Sequence, residues 1–307
     1  MLTLLVSLAL VITLCIAGCT GTGTDEIPNS TPSEKQVLHI ATTTSLYDTG
    51  LLDYLRTDFE NEHNVDVKIV SAGTGKAIEY GMRGDVDVLM IHDRVREDVF
   101  LDDGYGINHR VIAYNYFVIV GPESDPAGIK GMLPEEAVKT IMEKGQTDES
   151  VVMVSRGDNS GTHAKEQAIW KSAGYEYEEV QNSGEYYLEA GTGMGATLVM
   201  ANEKQAYTLS DIGTFLAYKG DLELVPLVDE GDILLNVYSA MQISPEKFPD
   251  VNTAIAKDWI NYMISEEVQD EIGTFRVDEF GQRLFNPSRG AWETIGVTKE
   301  ECEDPIP

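Results

Sequence analysis

The chain has 307 residues, 42% apolar and 24% charged, with 22 Lys and Arg against 52 Asp and Glu, a formal charge of −30. So acidic a chain excludes nucleic-acid binding through a basic face and disfavours adsorption to anionic lipid, and it says nothing about the fold. Length at about 150 residues per domain predicts two domains, while cysteines at 15, 19 and 302 offer neither a disulfide framework nor a zinc-ligand spacing.

Residues 2–17 carry no charge and no proline and read as the apolar core of a secretory signal, short of the ~20 residues that a membrane span needs. They end in Ile16-Ala17-Gly18-Cys19, an aliphatic residue, two small ones and a cysteine, which resembles the cleavage box of lipoprotein signals. Residues 1–19 are therefore expected to be a lipoprotein-type signal with Cys19 lipidated, anchoring the protein to the outer face of the cell membrane. An uncleaved anchor and a plain signal are the alternatives. Residues 20–36 switch to Thr, Gly, Ser, Pro and acidic side chains, which bury little and should form a flexible tether.

From residue 37 onward, short apolar runs alternate with amphipathic stretches, the pattern of βα units and an α/β fold. Residues 37–41 read as a strand, and 49–62 as a helix with Leu51, Leu52, Leu55 and Phe59 on one face. Residues 65–71 follow as a strand, 75–82 as a helix, 86–91 as a buried strand and 117–120 as a strand stopped by Gly121-Pro122. Residues 134–143 begin with Pro and two Glu, as a helix should. A strand at 151–154 and a helix at 161–173, closed by Gly174, come next. Residues 199–207, 212–218, 233–243 and 253–264 continue the alternation.

Two segments share one plan: a strand runs into a hydroxyl-rich turn and then a helix. They are residues 39–45, ending Thr42-Thr43-Thr44-Ser45, and residues 154–163, Val-Ser-Arg-Gly-Asp-Asn-Ser-Gly-Thr-His. The first N–H groups of a helix have no internal acceptor and carry the positive end of its dipole, so hydroxyls placed there complete an anion site. Plain N-capping is the competing reading. A third turn of this kind, Gly73-Thr74-Gly75, follows another strand and favours convergence on one site.

Other chemistry fits less well. Ser155, Ser160, His163 and Asp158 suggest a serine hydrolase, yet no G-x-S-x-G elbow is present. Gly73-Thr74-Gly75-Lys76 suggests a phosphate loop, but Val70 and Ala77 stand where Gly and Ser or Thr are needed. His92, Asp93, Glu97, His109 and His163 are too scattered for a metal-ligand spacing, and solvated or structural roles suit them.

The segments 42–45, 71–75, Gly84-Asp85-Val86-Asp87-Val88-Leu89, 114–122, 155–163 and Gly193-Met194-Gly195-Ala196-Thr197 occur in this order in the tungstate-specific solute-binding proteins of ABC importers. The similarity runs from residue 38 to about 290 and rests on the order and spacing of the motifs together. The resemblance implies a periplasmic-binding-protein-like fold of the second type: two α/β lobes, each a mixed sheet flanked by helices, joined by two crossover strands and closing like a hinge. Placing the crossovers near 117–120 and 234–240 makes 37–118 with 236–307 lobe one and 119–235 lobe two.

The resemblance also implies capture of tungstate, with molybdate hard to separate from it, and delivery to the permease and ATPase subunits of an ABC importer. It implies a monomer with no enzymatic activity, cofactor, bound metal ion or nucleic-acid partner, since tungsten enters only as its oxyanion. The family's contact segments put Thr43, Thr44, Ser45, Arg156, Ser160, Gly161 and Thr162 at the oxyanion, and the position of its turn adds Thr74. Tungstate is a dianion that only accepts hydrogen bonds, so its site needs donors: hydroxyls, backbone N–H groups and one guanidinium, that of Arg156. A salt bridge to Asp158 is the competing role of Arg156. Phosphate-binding proteins of the same fold carry a similar Arg-x-Asp-x-Ser-Gly-Thr stretch and are the alternative reading. Phosphate keeps a proton and would need an acceptor, which Asp158 could supply. A surface-anchored serine hydrolase is the alternative of another class.

Overall fold

The computed structural model describes residues 35–307. The signal-type segment with Cys19, and the tether as far as residue 34, lie outside the described residues.

The described chain opens with β1 (Gln36–Thr43), α1 (Thr44–Asp48), α2 (Leu51–His63), β2 (Val65–Ala72), α3 (Thr74–Arg83), β3 (Val88–Ile91) and α4 (Arg94–Asp102). Then come β4 (Gly106–Gly121), α5 (Pro134–Gly145), β5 (Met153–Ser155), α6 (Gly161–Ser172), α7 (Tyr177–Gln181), β6 (Tyr187–Glu189) and α8 (Met194–Lys204). The remainder is β7 (Thr208–Asp211), α9 (Ile212–Tyr218), β8 (Val225–Val228), β9 (Leu235–Ile243), α10 (Thr253–Met263), α11 (Glu266–Thr274), α12 (Val277–Phe280), β10 (Asn286–Pro287), α13 (Trp292–Ile295) and α14 (Lys299–Glu303).

The sheet is mixed. β1 pairs in parallel with β2 and β3, β3 pairs antiparallel with β9, and β9 pairs antiparallel with β4, giving the order β10-β4-β9-β3-β1-β2. β4 then changes partners. Its residues through Tyr116 face β9, whereas Phe117 to Gly121 face β7 and β8. The parallel pair β5 and β6 joins β7 through a bridge between Met153 and Tyr207.

β3 is Val-Leu-Met-Ile, buried throughout, as an inner strand covered on both faces must be. α2 buries Leu51, Leu52, Leu55 and Phe59, the face expected from periodicity. Phe59 meets Trp259 edge-on at 5.0 Å in one core; a second core gathers Phe117, Ile141, Trp170 and Tyr207. Each such side chain, fully buried, contributes roughly 1.5–3 kcal/mol.

Two of the boundaries that differ from expectation have a visible cause. The helix expected over 49–62 is α2, which starts at Leu51 because Gly50 takes a left-handed turn (φ 81°) that separates it from the short helix α1, for which no helix was expected. β4 starts at Gly106 rather than at residue 117, because polar residues interrupt its apolar pattern yet are buried and partnered. Arg110 Nε donates to the Asp304 carbonyl at 2.7 Å, and Asn115 Nδ2 to the Leu284 carbonyl at 3.1 Å.

Candidate functional site

Five helices, α1, α3, α6, α8 and α9, start just beyond the carboxyl ends of β1, β2, β5, β6 and β7. Contacts between distant segments bring these starts together. Thr214 Oγ1 on α9 donates to the Ser45 carbonyl on α1 at 3.2 Å. Gly161 N–H at the start of α6 donates to Thr74 Oγ1 at the start of α3, 2.8 Å away. Gly193, which caps α8, lies where a Cβ would stand 3.8 Å from Thr44 Oγ1, and a Cβ on Gly161 would come within 3.0 Å of the His92 ring.

All eight residues expected at the site fall in this region. Thr43, Ser45, Thr74, Arg156, Ser160, Gly161 and Thr162 are buried, and Thr44 is half-buried. Capping accounts for part of them: Thr43 Oγ1 accepts from Leu46 N at 3.4 Å and Ser160 Oγ from His163 N at 3.2 Å. The Gly161 N–H is taken by Thr74. Thr42, Thr44 and Thr162 Oγ1 and Arg156 Nε are buried with no hydrogen-bond partner among the described residues. Burying a donor unpaired costs about 1–3 kcal/mol, a cost that an acceptor reaching these four would remove.

Arg156 is 3% exposed. Its Nη2 donates to Asp158 Oδ2 at 2.5 Å, and Asp158 Oδ1 accepts from Ser160 N at 3.2 Å. The expected competing role of Arg156 is thus real for one end of the guanidinium, while Nε stays free for another acceptor. Asp158 spends both oxygens on holding the turn. The turn also needs Gly157, whose φ is +61° and where a Cβ would lie 2.7 Å from Glu189 Cβ.

Behind the turn, buried Glu166 accepts from Ser155 Oγ at 2.7 Å, Tyr187 Oη at 2.5 Å and Trp170 Nε1 at 3.2 Å. Burial raises the Glu166 pKa against the pull of those three bonds. His163 Nδ1 accepts from Asn159 N at 3.0 Å and Nε2 meets Tyr177 Oη at 2.7 Å. Neither ring nitrogen of His163 is bonded to a serine hydroxyl, so the pairing of His163 with Ser155 or Ser160 that the sequence suggested is not formed. Lys76, in the turn resembling a phosphate loop, pairs with Glu79 on the surface at 2.7 Å. Among the described residues no cluster of three or more His, Cys, Asp or Glu is arranged to hold a metal ion.

The sequence reading did not place Asp211, Thr214, His92 or Glu166 at or behind the site. Asp211 caps α9, accepting from Thr214 N and Oγ1 at 2.8 and 2.7 Å. Burial raises its pKa, opposed by those bonds and by the charge of Arg156. Asp-Ile-Gly-Thr directly after a strand repeats the strand, cap and helix plan, and that was the available signal. His92 gave none, since its partners lie far away in sequence.

A model of the PBP superfamily domain matches residues 29–267. The tungstate-binding protein TupA of Peptoclostridium acidaminophilum is 36% identical over 284 residues, covering 92% of this chain and 97% of that protein. This chain belongs to the PBP superfamily, in the family of TupA. The tungstate ABC transporter structure from Geobacter sulfurreducens shares 44% identity with a TM-score of 0.69, covering 78% of this chain and 98% of that one. TupA from Desulfovibrio alaskensis G20 shares 38% identity, also with a TM-score of 0.69, covering 82% and 98%. Membership in the TupA family makes the fold the two-lobed type II form, and the family's proteins are substrate-binding components of transporters.

Proposed function

We propose that this protein is the extracytoplasmic solute-binding component of an ABC importer and captures tungstate, or its close analogue molybdate, between two lobes. The observation that carries the reading is the set of unpartnered buried donors, Thr44 and Thr162 Oγ1 and Arg156 Nε, at a meeting of helix N-termini. A ligand that only accepts, and is doubly charged, satisfies them all. Thr43, Ser45 and Thr74 complete the half of the site on lobe one, and Ser160 and Gly161 the half on lobe two. Gly161 contributes close approach, because its N–H is held by Thr74.

Phosphate is the weaker reading. Asp158, the acceptor that its proton would need, has both oxygens engaged within the turn. The lobes are taken as 37–118 with 236–307, and 119–235, a division supported by the change of partner in β4 after Tyr116. Cys19 carries a lipid anchor in this reading, the protein acts as a monomer, and the permease and ATPase of the importer receive the ligand. Replacing Cys19 by Ser should release the protein from membranes, and membrane association unchanged by that substitution would remove the anchor.

Calorimetric titration tests the ligand. Truncating one partner of a buried charge-assisted pair costs about 2–5 kcal/mol, so Arg156→Ala should weaken tungstate binding by roughly 30-fold to several thousand-fold. Asp158→Asn should change it far less, and sulfate and phosphate should bind weakly beside tungstate. Affinity within about twofold of wild type in Arg156→Ala, or heat with phosphate alone, would overturn the assignment.

A further inference from the structure

A buried hydrogen-bond chain behind the site has its direction fixed from one end. The Leu284 carbonyl can only accept, and Asn115 Nδ2 donates to it at 3.1 Å. Asn115 therefore turns Oδ1 toward Asn236, whose Nδ2 donates to it at 2.9 Å and to Tyr238 Oη at 2.8 Å. Asn236 is left with Oδ1 facing His92 Nδ1, 2.9 Å away, so that nitrogen carries the hydrogen. Ser45 Oγ lies 3.0 Å from the other ring nitrogen, Nε2.

The charge of the ring decides what Ser45 offers the cleft. His92 is 7% exposed, packed against Ser45 of α1, Gly161 of α6, Phe117 of β4 and Tyr238 of β9. The charged or titratable groups near it are Arg156, Lys165 on α6, the adjoining Asp93, Tyr238 and, beyond Tyr238, Asp211. Burial holds its pKa down at about 4, opposed by the Asn236 bond and reinforced by Arg156 and Lys165. A neutral ring with hydrogen on Nδ1 has a bare lone pair on Nε2, into which Ser45 donates its single hydroxyl hydrogen. Ser45 then has only lone pairs left, for Thr43 Oγ1 at 3.3 Å and for the cleft, and these repel an oxyanion that has no hydrogen of its own.

We propose that capture of a tetrahedral dianion draws one proton onto His92, with Ser45 as the relay. The proposal rests on the reading of the cleft as an oxyanion site. A proton from solvent adds to Nε2, and the ring, now an imidazolium, donates through Nε2–H to Ser45 Oγ. The Ser45 hydroxyl turns and donates its hydrogen to an anion oxygen. No covalent bond to the ligand forms or breaks, and the bound pair carries one net negative charge from ligand and ring together. An anion that keeps a hydrogen can donate it to Ser45 Oγ and needs no uptake, so the relay reads the protonation state of the ligand. His92 is a positioning residue: it acts on the anion only through Ser45.

The test is titration of the purified protein with sodium tungstate at one pH near 7.5, in Tris, HEPES and PIPES, whose ionisation enthalpies differ. The slope of observed heat against buffer enthalpy counts protons taken up. It should be about one for wild type and near zero for Ser45→Ala and His92→Gln. Affinity should fall about tenfold per pH unit from above the pKa of free His92, about 4, up to its pKa in the complex, and level off beyond that. Nitrogen NMR of wild-type His92 should show both ring nitrogens protonated with tungstate and one without, which keeps the test open if a variant misfolds. Tungstate binding with a slope near zero, an equal slope in all three proteins, or a neutral His92 in the complex would overturn the relay while leaving the oxyanion site intact. Absence of any heat or thermal shift with tungstate would overturn that site, and the relay with it.

Discussion

His92 and His109 are buried to nearly the same degree, 7% and 8% exposed, yet one is held neutral and the other is held charged. The ring of His92 faces an amide oxygen and a hydroxyl, with two cations nearby. His109 faces a carboxylate at each nitrogen: Nε2 lies 3.1 Å from Glu97 Oε2, and Nδ1 lies 3.2 Å from Glu301 Oε1. Ionised carboxylates only accept, so both nitrogens of His109 must carry hydrogen. Burial pulls its pKa down, but bonds to Glu301 and Glu97 outweigh that and raise it. Burial alone therefore does not set the charge of an imidazole; its partners do. His109 is a charged latch tying α14 to β4 and α4, with Arg94 on the same Glu301 oxygen at 2.7 Å, while His92 is a neutral ring able to take a proton.

The contrast breaks first at His109. His109→Ala leaves Glu97, 1% exposed, as an uncompensated buried charge, which should cost about 3–5 kcal/mol in urea unfolding. Tungstate affinity should stay within about twofold of wild type. A loss below about 1 kcal/mol would mean that the latch is not charged. His92→Gln should cost less, about 1–3 kcal/mol, because the groups it abandons are neutral, and it should alter proton uptake on binding.

The dependence on pH has opposite sign at the two rings. The pKa of His109 is raised in the fold, so its contribution is complete below the ordinary value of 6.5 and fades as pH rises through the raised value. That of His92 is depressed, so its contribution is complete above 6.5 and fades as pH falls toward about 4. Stability curves of the two Gln variants should therefore flatten on opposite limbs, His92→Gln on the acid side. Flattening on the same limb would contradict the assignment of charge. The smallest effect is expected at Lys76, whose partner Glu79 is exposed. Lys76→Ala should leave both unfolding and tungstate titration unchanged within error, and weaker binding would bring that turn into the site.

The contrast also marks what the sequence could say. The turns Thr42-Thr43-Thr44-Ser45 and Arg156 to Thr162 were legible because their chemistry is local: a strand end, hydroxyls, a helix start. β3 and α2 were legible because burial writes itself into apolar spacing. The first half of β4 was not, because His109 and Arg110 look like surface residues until Glu301 and the Asp304 carbonyl reach them. His92 was invisible as a site residue for the same reason. It is 47 residues from Ser45 and 144 from Asn236, so no spacing rule connects them. Asp158 was open to two roles, and only the geometry of its two oxygens separates them.

The central claim is that buried donors from both turns hold the tungstate ion. Diffraction at a tungsten absorption edge, from crystals grown with tungstate, measures this without any variant. The account predicts one tungsten peak per chain, with oxygens within hydrogen-bond distance of Thr44 Oγ1, Thr162 Oγ1 and Arg156 Nε. A peak only elsewhere on the molecule, with those three atoms still unpartnered, would contradict it.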